Sequence, residues 1–377
     1  MFIGIYAIIK MKIMKGEEAF MKKLNLAIIG QGRSGKDIHG KFYISEDNQW
    51  FNVKYVVDAD ERRREISKAR YEGCEVFADY KELLNKKDID VVVNATFSEM
   101  HFAITKDLLE HGFNVLCEKP FVRNRYECDI LTNLAKEKGV VLAVFQQTFY
   151  APFYQDVLRI LNEKVVGDAV QVSIRYNGFS RRWDWQTLQK KMAGNTYNTG
   201  PHPLGMALGV LDFDEDWEVA FSCLKHTPMS SGDSDDYCKL ILTAPNKPVV
   251  DVEINNTDAY SGYNVKIQGT RGTFKCNTTN YEYKYIVEGE NPERPVVEGF
   301  LQDDNGNPKY CGEKLVVHEE KGAYNGTAFD VGTAKLYEDL YYKITEGKEM
   351  YVNLSMARDI VSLIEQMYAN SPMPVKF

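Results

Sequence analysis

No C-x-x-C pair occurs among the seven cysteines, and seven cannot pair off among themselves. A disulfide framework and a zinc site are therefore not expected, and the thiol content suits a reducing cytoplasm. No apolar run is long enough to span a membrane. Nor do basic residues cluster as nucleic acid demands: the net charge is −8, and the densest run, Arg62-Arg63-Arg64, reads as the solvated face of a helix. Repeats and low-complexity tracts are missing as well. What remains is a chain of 377 residues, 44% hydrophobic and 27% charged, ordinary for a globular protein and long enough for two domains. The expectation is a cytoplasmic protein with no metal, no membrane and no nucleic acid as partner.

Residues 1–20 stand apart. Phe2, Ile3, Ile5, Tyr6, Ile8 and Ile9 resemble the apolar stretch of a signal peptide, but no positive segment precedes them and no small-residue cleavage site follows. Lys15-Gly16-Glu17-Glu18 can be encoded by a purine-rich ribosome-binding sequence shortly before Met21. Translation is expected to begin at Met21, which makes residues 1–20 a mistaken extension.

The chain is organised around Leu24–Gly35. A short apolar run, Leu24 to Ile29, breaks into Gly30-Gln31-Gly32-Arg33-Ser34-Gly35, a G-x-G-x-x-G turn at the junction of a strand and a helix. The first glycine permits the tight turn, the second removes a side chain that would block a diphosphate, and the third lets the helix pack close to the strand. Asp58 closes the next apolar run, Val53–Val57, where a carboxylate can hold a ribose 2′-hydroxyl and would repel a 2′-phosphate. NAD is thus expected over NADP, a preference tempered by the nearby Arg62–Arg64 run.

Strand-like and helix-like segments then alternate: strands at 53–57, 74–77, 90–95, 113–117 and 140–145, helices at 34–44, 61–70, 100–110 and 124–138. With the first strand this makes a doubly wound (Rossmann) parallel sheet over 21–146. Past Gln146 the pattern changes to β-rich segments at 169–176, 217–224, 237–242, 249–254, 265–269 and 273–276, punctuated by hairpin turns. Residues 147–377 read as an α+β domain with a mostly antiparallel sheet, for substrate binding and oligomerisation. The stretch 277–322 is polar, turn-rich and unassigned. Two helices, Thr333–Glu346 and Leu354–Asn370, close the chain, the second capped by Asn353.

Glu118-Lys119-Pro120 follows the fifth strand, at the sheet edge where open α/β folds bind ligands. A lysine there can stabilise the alkoxide-like charge that develops as hydride leaves carbon, or it can be part of an ordinary turn closed by a proline. Together with the glycine turn, Asp58, Asn94-Ala95-Thr96 and His101, this motif resembles the Gfo/Idh/MocA family of sugar and inositol dehydrogenases. The likeness continues through Gly167-Asp168, Asp236-Tyr237, Gly269-Thr270-Arg271-Gly272 and Leu336-Tyr337-Glu338-Asp339-Leu340, and covers residues 23–370.

The resemblance implies that Gly30, Gln31, Gly32, Arg33, Ser34, Gly35, Asp58, Ala95, Thr96, His101, Glu118 and Lys119 hold the cofactor. It further implies a D-x-x-x-H element, matched here by Asn198-Thr199-Gly200-Pro201-His202, with His202 as general base. Asn198 replaces the aspartate and can orient a ring without charging it. Pro201 and Pro203 are expected to displace the start of the helix. Trp183 and Trp185, flanked by Arg181, Arg182 and Asp184, suit a polyol pocket or simply cover the sheet, and Tyr197, Tyr150, Tyr176 and Asn177 are further candidates.

The leading expectation is an NAD-dependent oxidoreductase that takes hydride from a secondary hydroxyl of a sugar, glycoside or cyclitol, with Lys119, His202 and Asn198 serving the reaction. One alternative is a glycoside-cleaving enzyme that uses tightly bound NAD for transient oxidation and elimination. Another is a dinucleotide-sensing regulator without activity. A homodimer or homotetramer is implied by the resemblance.

Overall fold

The computed structural model describes residues 22–213 and 216–377. The expected extension 1–20 and the start at Met21 lie outside them. The apolar runs of the first half, too short for anything but buried strands, form one parallel sheet. Its strands are β1 (Leu24–Ile29), β2 (Phe51–Val57), β3 (Glu75–Phe77), β4 (Val91–Asn94), β5 (Val115–Cys117) and β6 (Leu142–Val144). Their order, β3-β2-β1-β4-β5-β6, reverses between β1 and β4, so the carboxyl ends of these two strands open a crevice. All four side chains of β4 are buried.

The segment after β1 differs from one regular helix over 34–44. A wide π-helical turn, Ser34–His39, leads into α1 (Gly40–Tyr43), and with this winding His39 is fully buried. Helices α2 (Glu61–Arg70), α3 (His101–Glu110) and α4 (Arg125–Lys138) make the crossovers. Asp60 and Asn124 cap α2 and α4, and Gly139, left-handed at φ 67°, ends α4. β5 and β6 are shorter than the apolar runs that contain them, because their mutual pairing lasts only from Val115↔Leu142 to Cys117↔Val144.

After α5 (Pro152–Asn162) the chain builds a second sheet of eight strands, ordered β14-β13-β12-β11-β7-β10-β9-β8. These are β7 (Ala169–Asn177), β8 (Glu218–Lys225), β9 (Tyr237–Thr243), β10 (Val249–Asn255), β11 (Val265–Gly269), β12 (Gly272–Cys276), β13 (Asn280–Tyr285) and β14 (His318–Ala323). All neighbours are antiparallel except β7 with β10. The polar stretch 277–322 thus supplies two strands. Tyr281, Tyr283 and Tyr285 alternate with Glu282 and Lys284, and Tyr281 and Tyr283 lie over Phe274.

Between β7 and β8 lie α6 (Asn195–Asn198) and α7 (Pro201–Val210). The terminal helices α8 (Thr333–Glu346) and α9 (Leu354–Asn370) have the bounds that their sequence pattern predicts, and Asn353 Oδ1 accepts from Met356 N at 3.0 Å. Helix α8 docks on the first half, where Tyr337 stacks on Phe42 at 4.7 Å and 3°. One apolar cluster accordingly runs from Leu24 through both sheets to Met367.

Candidate active site

The glycine turn is dictated by contacts at two of its three glycines. Gly30 has φ +95°, and a Cβ there would meet Ala95 O at 2.4 Å. A Cβ on Gly35 would lie 1.9 Å from Gly30 O. Around Gly32, by contrast, a Cβ would meet nothing within 4 Å. The protein's own packing does not require that glycine, whose bare backbone faces open space.

Asp58, buried at the end of β2, ties this turn down: Oδ2 accepts from Gln31 N at 2.7 Å and Oδ1 from Asp60 N at 2.9 Å. The arginine run is not simply a solvated face. Arg63 Nη1 stands 3.6 Å from Asp58 Oδ2, and Arg64 Nη1 donates to the carbonyls of Asp58 and Ala59 at 2.8 and 2.9 Å.

At the end of β4, Asn94 Oδ1 accepts from Thr96 Oγ1 at 2.7 Å and so shapes the Ala95-Thr96 turn beside Gly30. His101 corrects the expectation of a cofactor contact. Its ring is buried between the turn after β4 and the turn after β5, with Nδ1 2.7 Å from Pro120 O and Nε2 3.3 Å from Thr96 O. Burial pushes its pKa down, and a neutral ring donates to the nearer carbonyl, that of Pro120.

Glu118 is likewise a strut. Oε2 accepts from Lys119 N at 2.9 Å, and Oε1 accepts from His39 Nε2 at 3.1 Å. The proton order continues inward: Tyr337 OH donates to His39 Nδ1 at 2.8 Å and in turn accepts from Tyr43 OH. Burial alone would raise the Glu118 carboxyl, but the bond from His39 and the charge of Lys119 outweigh it and hold the pKa below the usual range. This chain of side chains fixes the peptide from which Lys119 projects, and the Lys119–Pro120 bond is cis.

Lys119 Nζ crosses to the second half and donates to Asn198 O at 2.9 Å. Burial, aided by the charges of Arg33 and Arg182 and opposed by Glu118, holds its pKa below the ordinary lysine value. His202 enters from α7. Pro201 and Pro203 sit in its first turn, where backbone N–H groups have no partner within the helix; the helix thus starts at Pro201, and Asn198 stays behind in α6.

Asn198 does not orient His202. Its side-chain Oδ1 accepts from Gln186 Nε2 at 2.9 Å, and the imidazole Nδ1 is instead held by Thr148 Oγ1 at 2.7 Å. Burial, reinforced by the Lys119 charge, pushes the His202 pKa down to about 3, so the ring is neutral at working pH.

The aromatic candidates separate. Trp185 packs edge to face on Phe97 at 4.9 Å, across the crevice, whereas Trp183 is exposed. Tyr197 is buried, with its hydroxyl on Arg123 O at 2.9 Å and its ring on Tyr368, so it supports α6. Tyr150 donates to Asp339, Tyr176 to Met206 Sδ, and Asn177 to Glu253 and Asp258, all within the protein. Sequence reasoning missed Thr148, His39 and Gln186. Thr148 lies in the Gln146–Phe149 stretch that follows the last parallel strand, and that placement at the carboxyl edge was the available signal.

Residues 24–146 match the oxidoreductase family with an NAD-binding Rossmann fold, and residues 154–275 match the GFO/IDH/MocA C-terminal domain. A 2,7-anhydro-N-acetylneuraminate hydratase of Mediterraneibacter gnavus is 23% identical over 299 residues, 78% of each chain. A scyllo-inositol 2-dehydrogenase (NADP+) of Bacillus subtilis is 24% identical over 355 residues, 92% of this chain and 94% of its own. In fold, a 3-ketoreductase variant from Actinomadura kijaniata, solved with TDP-benzene and NADP, reaches a TM-score of 0.73 at 17% identity over 93% of this chain and 98% of that one. With the two domain matches in sequence order and together spanning more than half of its length, the chain belongs to the Gfo/Idh/MocA family of NAD(P)-binding oxidoreductases.

Proposed function

We propose that this protein is a dehydrogenase of a secondary hydroxyl on a sugar, glycoside or cyclitol. The observation that carries this reading is the meeting of Lys119 and His202 at the carboxyl edge of the parallel sheet. Lys119 is tied to the backbone of Asn198, and His202 lies four residues further on with Nδ1 held by Thr148. A dinucleotide fits the residues beside them, since Gly32 leaves its backbone uncovered. When bound, the nicotinamide supplies the hydride acceptor.

His202 is neutral, and with Nδ1 engaged by Thr148 it offers Nε2 to the substrate hydroxyl proton. The Lys119 ammonium bonds the same oxygen and stabilises the negative charge that grows on it. Asp58 at the ribose end favours NAD, while Arg63, half exposed beside it, offers a partner to a 2′-phosphate. Replacing Lys119 or His202 by alanine is expected to lower turnover at least ~100-fold while leaving the fold intact. A smaller loss in both variants, on a substrate identified from a polyol and glycoside panel, overturns the assigned roles.

One observation favours a second reading. The hydratase among the relatives is named for addition of water rather than for net oxidation. A reaction that uses bound NAD transiently would leave the nucleotide on the purified protein and release no NADH. Identifying the nucleotide freed by denaturation, alongside the absorbance of NADH during turnover, separates the two.

A further inference from the structure

Between β13 and β14 the chain makes an excursion, residues 286–317, that lies beyond the matched C-terminal domain. It folds back on itself as an arm. Asn291 Oδ1 accepts from Val316 N at 2.8 Å, Arg294 Nη2 meets Glu313 Oε2 at 2.6 Å, and Lys309 N donates to Leu301 O at 2.9 Å. At the tip, Asp303 Oδ1 accepts from Asn305 N and Asn307 N, both at 2.9 Å. Past the ion pair of Glu288 with Arg271 at the root, every hydrogen bond and ion pair of this segment, among the described residues, closes within the arm or onto His318. Yet the arm presents Val296, Phe300 and Tyr310 at 90%, 88% and 98% exposure. Apolar side chains gathered on one projecting segment mark a surface that meets another. From 287 to 317 the arm has seven carboxylates and three cations.

A second surface shares the exposure and has the opposite charge. The loop after β7, residues 178–191, presents Trp183 at 78% exposure, with Phe179 and, nearby, Tyr260 also exposed. It carries Arg181, Arg182, Lys190 and Lys191 against Asp184 alone. This loop forms the rim of the crevice: the Arg182 charge is felt at Lys119, and Trp185 packs on Phe97.

Strand direction decides whose arm can reach whose rim. The arm departs beside the turn between β11 and β12, since Ile286 N donates to Arg271 O, and Gly269 pairs with Ala169 at the start of β7. The rim departs from Asn177, at the other end of β7. The nine residues of that strand separate the two exits by about 30 Å, and the exits point opposite ways. An arm folded back over this distance would run along its own sheet and be covered, whereas this one is exposed. Each limb of the arm, some 16 residues, can reach at most about 55 Å, enough to lie on another molecule.

We propose that the arm 286–317 of one copy lies across the aromatic, basic rim 178–191 of a second copy, the two copies exchanging arms about a twofold axis. Each crevice then receives its outer wall from the partner, and Trp183 is covered there. The inference does not depend on which reaction the crevice performs.

The test places the photo-crosslinker benzoylphenylalanine at Phe300, and separately at Tyr310, in the full chain; both positions are exposed. The expected result is a product of doubled mass whose joined peptides pair the arm with residues 178–191 or with Tyr260. A crosslink within one chain, onto another face of a second copy, to a different protein, or no crosslink at all overturns the proposal. As an independent check, Phe300→Ser with Tyr310→Ser is expected to lose the dimer in size-exclusion chromatography at an unchanged circular-dichroism spectrum. The same change is expected to make Trp183 more accessible to acrylamide, read as the difference from Trp183→Phe. Equal quenching of Trp183 in the parent and the double variant counts against the proposal as firmly as a monomeric parent does.

Discussion

Thr148 is the smallest group on which the proposed chemistry turns. Its hydroxyl, 2.7 Å from His202 Nδ1, fixes the ring and thereby which nitrogen faces the substrate. Thr148→Val is expected to lower kcat by about 10–100-fold with little change in KM, and Thr148→Ser to restore most of it, in steady-state assays on the identified substrate. The neutral imidazole has a consequence for stability. His202 falls from an unfolded value near 6.5 to about 3 in the folded state, so between these pH values the unfolded chain binds more protons and stability declines on acidification. His101, also buried and pushed down, adds to the same limb. His202→Asn is therefore expected to flatten, in part, the fall in melting temperature between pH 7 and pH 5. Lys119 and His202 were singled out because each sits in a spaced motif. Thr148 was not, because its partner comes from a helix whose placement depends on the whole second domain. Tyr197 and His101 were misread for a related reason: residue type suggests a ligand contact, and only packing reveals that the polar atoms are already engaged.

At the scale of elements, the sheet strands of the first half and the two terminal helices follow from pattern alone. Most of these strand runs are apolar or alternate apolar with polar residues, and Asn353 and Gly347 mark helix ends by capping and by a left-handed residue. β13 escaped because its period-two tyrosines sit among charges, and β14, whose residues are mostly exposed, has no apolar face to reveal it. The junction of β1 with its helix is the least tolerant element. Gly35→Ala puts a Cβ against a backbone carbonyl that cannot move without breaking the turn, and is expected to cost about 1–3 kcal/mol or more in chemical denaturation. Helix α8 is pinned through Tyr337. Removing that hydroxyl in Tyr337→Phe leaves His39 Nδ1 without its donor and Tyr43 OH without its acceptor, both buried, and is expected to cost about 1–3 kcal/mol. Because His39 supports Glu118, kcat is expected to fall as well, which a purely structural contact would not cause.

The whole molecule is less divisible than its two sheets suggest. Tyr337 and Tyr341, near the end of the chain, cover Phe42 and Phe51 in the first half, and Tyr341 OH reaches Lys22 O. A fragment ending after residue 150 would bare this aromatic cluster, and is expected to aggregate or to bind a hydrophobic dye where the intact chain does not. The order in which strands are made differs from the order in which they pair. β7 sits in the middle of its sheet, yet the strands on either side of it, β10 and β11, are both far downstream, with Val172 opposite Val250 and Ile267. During vectorial synthesis a nascent β7 leaves the ribosome with both hydrogen-bonding edges vacant, and closure of this sheet waits until the codons for 249–269 have been translated. Cells that slow elongation across that interval would lengthen the time during which this strand depends on chaperones.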